Sequence, residues 1–176
     1  MRIETFSCEY TNLKSTLLDR LKGHVFHVTN DTGFAGICRS GFVGVAGEEI
    51  QAVTTTFASV SFGRNSGYVC LIDLRTASNA SIERTLNDFY YFLDPFDDSA
   101  QNIFLVLEES AYSVLVPNEV GVNARGEAAI PELEVWYPQD LPLEVVELAI
   151  QVPMSRPDPW EVNLDNEAFI KLFPQG

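Results

Sequence analysis

Residues 23–43 read GHVFHVTNDTGFAGICRSGFV, and this stretch decides the fold because it passes from strand-like to helix-like spacing of its apolar residues. Its first part, 24–29, is dense in β-branched and aromatic side chains and indicates a short strand. Asp31 or Thr32 can cap the helix that follows, and Gly41 can end it. We expect the inward-facing residues of this helix to be Phe34, Ile37 and Cys38. The stretch therefore predicts a strand joined directly to a short helix.

On either side of this stretch, helices and strands alternate at first, and strands dominate later. We expect an opening strand over 2–10, a helix capped by Thr11, and a second helix capped by Asn79 or Ser81. The run YVCLIDL (68–74) predicts a largely buried strand. Further strands are expected over 54–62, 103–107, 113–116, 133–137 and 145–152. This order predicts an α+β fold rather than a doubly wound sheet.

The size and composition of the chain indicate a single domain over residues 1–176. It has 176 residues, 46% of them hydrophobic, which suits one well-packed core. A Pro-rich segment leads into a C-terminal tail, 153–176. No apolar run approaches the roughly 20 residues that span a bilayer, and the start MRIET lacks the pattern of a secretory signal. We therefore expect a cytoplasmic protein with no membrane partner.

The net charge of −14 is unevenly distributed along the chain. Residues 1–88 carry 9 acidic and 8 basic side chains, whereas residues 89–176 carry 16 acidic and 3 basic ones. An acidic surface repels phosphate backbones, so the charge disfavours nucleic acid as a partner. The same surface is compatible with a basic protein partner or with a simple gain in solubility.

Few familiar catalytic patterns are present. The chain has no GxSxG, P-loop or GxGxxG motif. His24 and His27 are the only histidines, and three residues apart on one strand they point to opposite faces. No third ligand stands at a convincing spacing, so the sequence predicts no metal site.

Three segments, taken in order, carry a family resemblance. The first is His27-Val28-Thr29 followed by a short helix that ends at Ser40-Gly41-Phe42. The second is the strand and turn over 54–67, and the third is the run IPELEVWYPQDLPLEVV (130–146). Together they resemble the histidine-type branch of the ADP-ribosyltransferase-like domains over about residues 24–152. The resemblance implies a split antiparallel or mixed β-sheet core with a few short helices.

The resemblance also implies a chemistry, the transfer of ADP-ribose from NAD to an acceptor. Glu134 would stabilise the oxocarbenium-like transition state at the nicotinamide ribose, as a carboxylate beside developing positive charge does. Glu132, two residues earlier on the same strand face, would engage the acceptor, although relatives with this pair usually begin with Arg rather than His. The acceptor itself is unknown, with a protein expected.

The cofactor-binding residues implied by the resemblance lie mostly in the first half of the chain. His27 would donate a hydrogen bond to the second ribose, with Thr29 supporting the same strand edge and main-chain groups near Val28 clamping the nicotinamide amide. Ser61, in Ser59-Val60-Ser61, and Tyr68 compete for the family's second motif. Arg64 would meet the pyrophosphate. His27 and Glu134 are expected to face one shared cleft.

Two other functions compete with this interpretation. The chain can be a non-enzymatic acidic interaction or inhibitor protein that uses residues 89–176 against a basic partner. It can also be an RNA-phosphate transferase on the same scaffold, but such relatives need several cations for phosphates and the chain has only 11 Lys and Arg residues.

Overall fold

The structure is a computed structural model that describes residues 1–6, 10–45, 63, 66–78, 80, 82, 101–117 and 133–153. Within these residues, strands outnumber helices, and two short 3-10 helices cover Glu109–Val114 and Leu143–Val145. The remaining elements are, in chain order, β1 (Arg2–Thr5), α1 (Tyr10–Leu21), β2 (Val25–Asn30), α2 (Asp31–Ser40), β3 (Phe42–Val43), β4 (Val69–Asp73), β5 (Gln101–Leu107), β6 (Glu134–Tyr137), β7 (Leu141–Pro142) and β8 (Val146–Pro153).

The centre of the molecule is a six-stranded sheet in the order β1-β8-β5-β2-β4-β6. Its neighbouring strands are antiparallel except for β1 and β8, which run parallel, so the sheet is mixed. A separate two-stranded sheet pairs β3 with β7. The prediction of an α+β fold with a sheet core and few helices is confirmed.

Each face of the sheet packs against its own apolar layer. Residues alternate between faces along each strand, and the two layers are correspondingly built from alternate positions. One layer includes helix α1 and consists of Leu17, Leu21, Phe26, Ile72, Leu74, Ile82, Phe104, Val106, Leu133, Leu148, Ile150 and Val152. The other includes helix α2 and consists of Val25, Phe34, Ile37, Val43, Val69, Leu71, Ile103, Leu105, Leu107, Ala111, Val135, Tyr137, Leu141, Val146 and Ala149. We call these the α1 face and the α2 face.

The junction of β2 and α2 follows the sequence closely but uses a different cap. Asn30, not Asp31 or Thr32, is the N-cap, and its side-chain oxygen accepts a hydrogen bond of 2.8 Å from the Gly33 N–H. Gly41 ends the helix with φ 82°, a left-handed conformation that glycine adopts without strain. Among the expected inward residues of this helix, Phe34 and Ile37 are buried whereas Cys38 is exposed.

Other sequence predictions need correction where the structure describes the chain. The opening strand ends at Thr5 instead of reaching residue 10, and α1 begins at Tyr10, so Thr11 lies inside the helix. The expected strand over 113–116 is wrong, because Glu109–Val114 forms a 3-10 helix and only Val116 makes a strand contact, an isolated bridge to Trp136. The expected strand over 54–62 and the tail beyond 153 lie outside the described residues.

Helices of the described part of the chain are all too short or too polar to cross a membrane. The two α-helices span 12 and 10 residues, whereas a bilayer needs roughly 20.

Candidate functional site

Strands β2 and β4 form only a short antiparallel ladder and then separate. Their paired residues are Val25 with Asp73 and Phe26 with Ile72, and the ladder ends there. On its other edge β2 stays paired with β5 from Phe26 through to Asn30. Among the described strands, the sheet is therefore open on one side of β2, beyond Phe26.

The open edge includes the main chain of Val28. In an antiparallel ladder, alternate residues direct their N–H and C=O to one neighbour and the residues between them to the other. The Leu74 N–H donates to the His24 C=O at 2.9 Å. The even-numbered residues of β2 therefore direct their main-chain N–H and C=O groups toward β4. A continued ladder would place Val28 opposite Cys70. Among the described residues Val28 has no such ladder partner.

The His27 ring supplies the hydrogen bond that the Cys70 carbonyl would have received in a continued ladder. Its Nδ1 lies 3.0 Å from the Cys70 carbonyl oxygen, the group that a continued ladder would have joined to the Val28 N–H. A carbonyl oxygen can only accept, so Nδ1 carries the proton and donates it. The parting of the strands thus leaves a carbonyl that the histidine satisfies.

The charge state of His27 follows from its surroundings. The residue is half-buried, and the protein around its ring removes hydrating water. This loss of hydration lowers the pKa of His27, and the hydrogen bond to Cys70 offsets the decrease only in part. The ring is therefore neutral at pH 7, and with the proton on Nδ1 its Nε2 is an acceptor. Because Nδ1 donates to Cys70, a ribose hydroxyl at Nε2 would have to donate the hydrogen bond and this nitrogen would accept it, the reverse of the direction that we predicted.

Thr29 and Tyr68 flank this region in different ways. Thr29 is buried, and its hydroxyl packs so closely against Gly33 that a Cβ there would collide with it. The hydroxyl therefore supports the β2–α2 junction. Tyr68 is half-buried immediately before β4, and its N–H donates to the Gly63 C=O at 2.8 Å, which closes the turn that enters the strand.

Glu134 is a buried carboxylate on strand β6. Only 2% of it is exposed, and its Oε1 accepts a hydrogen bond of 2.8 Å from the Trp136 indole Nε1. Trp136 is fully buried, and Gly63 packs so tightly on its ring that any Cβ at that position would collide with it. A buried carboxylate needs such donors because it has lost its water.

The register places His27 and Glu134 on opposite faces of the sheet. Glu134 pairs with Ile72, which pairs with Phe26, so this row lies on the α1 face. His27 pairs with Leu105, which lies on the α2 face. The two side chains do not face one cleft as expected, because side chains alternate across a strand and the cross-strand register links Glu134 to position 26 rather than 27.

Three of the predicted site residues cannot be placed. Glu132, Ser61 and Arg64 lie outside the described residues, so the expected pairing of Glu132 with Glu134 and the contact of Arg64 with a pyrophosphate remain predictions. The described residues contain no group of three His, Cys, Asp or Glu side chains that could hold a metal ion.

Trp136 is the site residue that the sequence interpretation missed. The signal was present, since Glu134 and Trp136 are two apart on a strand and must share a face. Trp136 and Tyr137 are neighbours in the strand and point to opposite faces, yet both are buried, with 0% and 6% of their surfaces accessible. The reason is that apolar layers cover both faces of β6.

Comparison with known proteins adds no further assignment. The chain matches no protein-family model, no curated protein and no solved structure. The functional interpretation therefore depends on the residues and their geometry.

Proposed function

We propose that the chain is an NAD-dependent mono-ADP-ribosyltransferase-like protein that transfers ADP-ribose from NAD to a protein acceptor. The observation that carries this proposal is the open main-chain edge at Val28, where β2 leaves β4. It lies in the His27-Val28-Thr29 segment, where the family resemblance implies that the nicotinamide amide is held. The parting of the two strands also agrees with the split sheet that the resemblance implies.

The chemistry of a primary amide suits this edge. A carboxamide presents one C=O acceptor and an NH2 donor side by side, as an extended peptide unit does. The N–H and C=O of Val28 point toward the gap left by β4, so an amide can complete them much as an added strand completes a sheet edge. Nicotinamide would thereby be held by two hydrogen bonds to the main chain.

Glu134 would supply the electrostatic part of the reaction. When the bond between nicotinamide and C1′ of the ribose breaks, its electron pair leaves with nicotinamide and positive charge develops on the sugar. A carboxylate fixed in a dry site stabilises such charge more than one in water. In the structure Glu134 is hydrogen-bonded to the Trp136 indole. We therefore also propose that the indole moves aside when a ribose reaches Glu134.

The decisive substitution is Glu134→Gln, which keeps the size of the side chain and removes its charge. We expect NAD turnover to fall by roughly 100-fold to 1,000-fold, the usual cost of losing one strong transition-state contact. Glu144→Gln, at an exposed position, is the matched control and should keep full turnover. Equal turnover in wild type and Glu134→Gln would refute the assigned role.

Binding can be tested apart from turnover. A ligand that binds the native state raises the melting temperature, so millimolar NAD should raise that of the wild-type protein. It should do the same for Glu134→Gln, because the amide clamp is main chain. No shift with either protein would count against NAD as the ligand.

A second candidate function is supported by the acidic end of the sheet, where β5 ends and β8 begins. The Glu108 N–H donates to the Val145 C=O at 2.9 Å, which brings four exposed glutamates together: Glu108, Glu109, Glu144 and Glu147. Burial is the main cause that raises the pKa of Tyr112, and the charges of Glu147 and Glu109 add to the rise because both lie close. We propose in this case a basic protein surface as partner.

The two candidates differ in their dependence on salt and on His27. A complex formed by the acidic end should weaken steeply as salt rises and should be lost when Glu108 and Glu147 are both changed to Lys. His27→Ala should leave it intact. A partner that binds equally well in high salt, or to the charge-reversed variant, would exclude this surface as its site.

A further inference from the structure

The outer edge of strand β1 ends the six-stranded sheet in the part of the chain that the structure describes. On its inner edge β1 runs parallel to β8, and the Phe6 N–H donates to the Gln151 C=O at 2.8 Å. Since successive residues of a strand direct their main-chain groups to opposite sides, Arg2 and Glu4 direct theirs toward β8, as Phe6 does. The N–H and C=O of Ile3 therefore point outward, away from the sheet.

The side chains of this edge divide into a charged row and an apolar one. Arg2 pairs with Leu148 and Glu4 with Ile150, so both charges lie on the α1 face. Ile3 lies on the α2 face, and it is 53% exposed, the largest fraction among the large apolar residues that the structure describes. Outward main-chain groups beside an exposed apolar side chain are the pattern of an edge that can pair with another strand.

Charged residues on an edge strand usually hinder such pairing, but these two charges are complementary to a second copy of the same strand. In an antiparallel pair of β1 strands with a two-fold axis at Ile3, Arg2 of each copy lies opposite Glu4 of the other. The two Ile3 residues then exchange N–H···O=C bonds, and the charged pairs occupy the non-hydrogen-bonded positions, where side chains come closest. An axis at Arg2 or at Glu4 would instead place like charges opposite each other.

We infer that β1 is a homodimerisation edge, at which two copies of the chain join their sheets with Ile3 at the two-fold axis. Glu4 is already arranged to accept from arginines, since it contacts Arg2 at 3.1 Å and Arg20 at 2.9 Å. The Arg2 side chain is 69% exposed, and an exposed ion pair contributes little to stability, so Arg2 can exchange its own Glu4 for that of the second copy. The edge has only four residues, so the dimer is weak and dissociates on dilution.

The test measures self-association of the full chain by sedimentation equilibrium, with reductant present because Cys38 is exposed. Between roughly 10 μM and 1 mM protein, the apparent mass should rise toward that of a dimer. Arg2→Glu and Glu4→Arg should each weaken association roughly tenfold or more, because each places like charges opposite one another. Arg39→Glu, at an exposed position on α2, is the matched control and should associate as the wild type does. A wild-type chain that stays monomeric, or association that neither edge variant weakens, would overturn the inference.

A mixture of the two edge variants tests the register itself. Arg2→Glu carries two acidic side chains on the edge and Glu4→Arg two basic ones, so each variant repels its own copy and matches the other. An equimolar mixture should associate about as tightly as the wild type. Two folded variants that stay monomeric when mixed would overturn the inference.

Amide exchange of the wild-type protein keeps the inference testable if a variant does not fold. The Ile3 N–H points outward and should exchange more slowly as the protein concentration rises, since the dimer covers it. The Glu4 N–H faces β8 in both states and should not change. Exchange of Ile3 that is independent of concentration would overturn the inference.

Discussion

The two edges of strand β2 differ sharply, although they belong to the same six residues. Toward β5 the ladder runs unbroken from Phe26 to Asn30, whereas toward β4 it stops at Phe26. The closed edge uses its backbone groups for stability. Along the open edge, the N–H and C=O of Val28 have no partner in the ladder toward β4. The Cys70 carbonyl of β4 instead accepts a hydrogen bond from the His27 ring. The difference shows that, among the described strands, a strand inside a sheet can be paired along one edge and unpaired along part of the other.

Amide hydrogen exchange is the measurement that separates the two edges most strongly. Thr29 directs its N–H into the β5 ladder, so its exchange requires an opening that costs several kcal/mol, about that of a core strand. Val28, one residue earlier, faces the open edge and should exchange far faster. Equal protection of these two neighbouring amides would mean that the edge is closed.

The residue that joins the two edges should carry the largest effect on folding. Phe26 pairs with both β4 and β5, is fully buried, and packs edge-on against Phe104 with ring centroids 5.8 Å apart. Phe26→Ala should lower the free energy of unfolding by about 3–5 kcal/mol, measured by urea denaturation. Ile3→Ala, at a position 53% exposed, is the control and should change it by about 0.5 kcal/mol or less.

A pair of glycines tests the packing beside the open edge. A Cβ on Gly63 would enter the Trp136 ring, so Gly63→Ala should cost about 1–3 kcal/mol and disturb the bond from Trp136 to Glu134. Gly36 lies in α2 with no atom within 4 Å of such a Cβ. Gly36→Ala should therefore stabilise the protein by about 0.4–1 kcal/mol. Effects of the same sign would contradict this packing.

The smallest effect expected is a pH dependence that originates at the open edge. Because the pKa of His27 is lowered in the folded protein, the unfolded chain takes up the proton first as pH falls below about 6.5. Stability is then complete above that pH and declines below it. Melting curves between pH 7.5 and pH 5 should show this decline, and His27→Gln should flatten it. An identical slope in the variant would assign the pH dependence to other groups.

Local patterns in the sequence were enough to predict most of the elements around β2. The strand over 24–29 and the helix ended by Gly41 are confirmed, since β-branched residues and a terminal glycine act within a few residues of chain. The strands over 68–74 and 133–137 are also confirmed to within one residue at each end. The segment 113–116 failed because its strand-like composition is overruled by the compact 3-10 turn that packs Ala111 inside.

The arrangement of the site could not be predicted in the same way. Which face Glu134 occupies relative to His27 depends on the register of β6 on β4 and of β4 on β2, and a shift of one residue would exchange the faces. The point at which β2 leaves β4 is equally a property of the assembled sheet. The hydrogen bond between Trp136 and Glu134 could have been predicted from the sequence, because residues two apart on one strand lie on the same face.

We propose that the open edge at Val28 holds the amide of NAD, and titration with nicotinamide tests this proposal most directly. The backbone amide resonance of Val28, followed by NMR, should shift in a saturable way and more than those of its neighbours on the closed edge. Nicotinic acid is the matched probe, because its carboxylate has no N–H to donate a hydrogen bond to the Val28 carbonyl. Nicotinic acid should therefore bind more weakly than nicotinamide. A Val28 resonance that nicotinamide leaves unchanged, or that nicotinic acid shifts equally well, would contradict the claim.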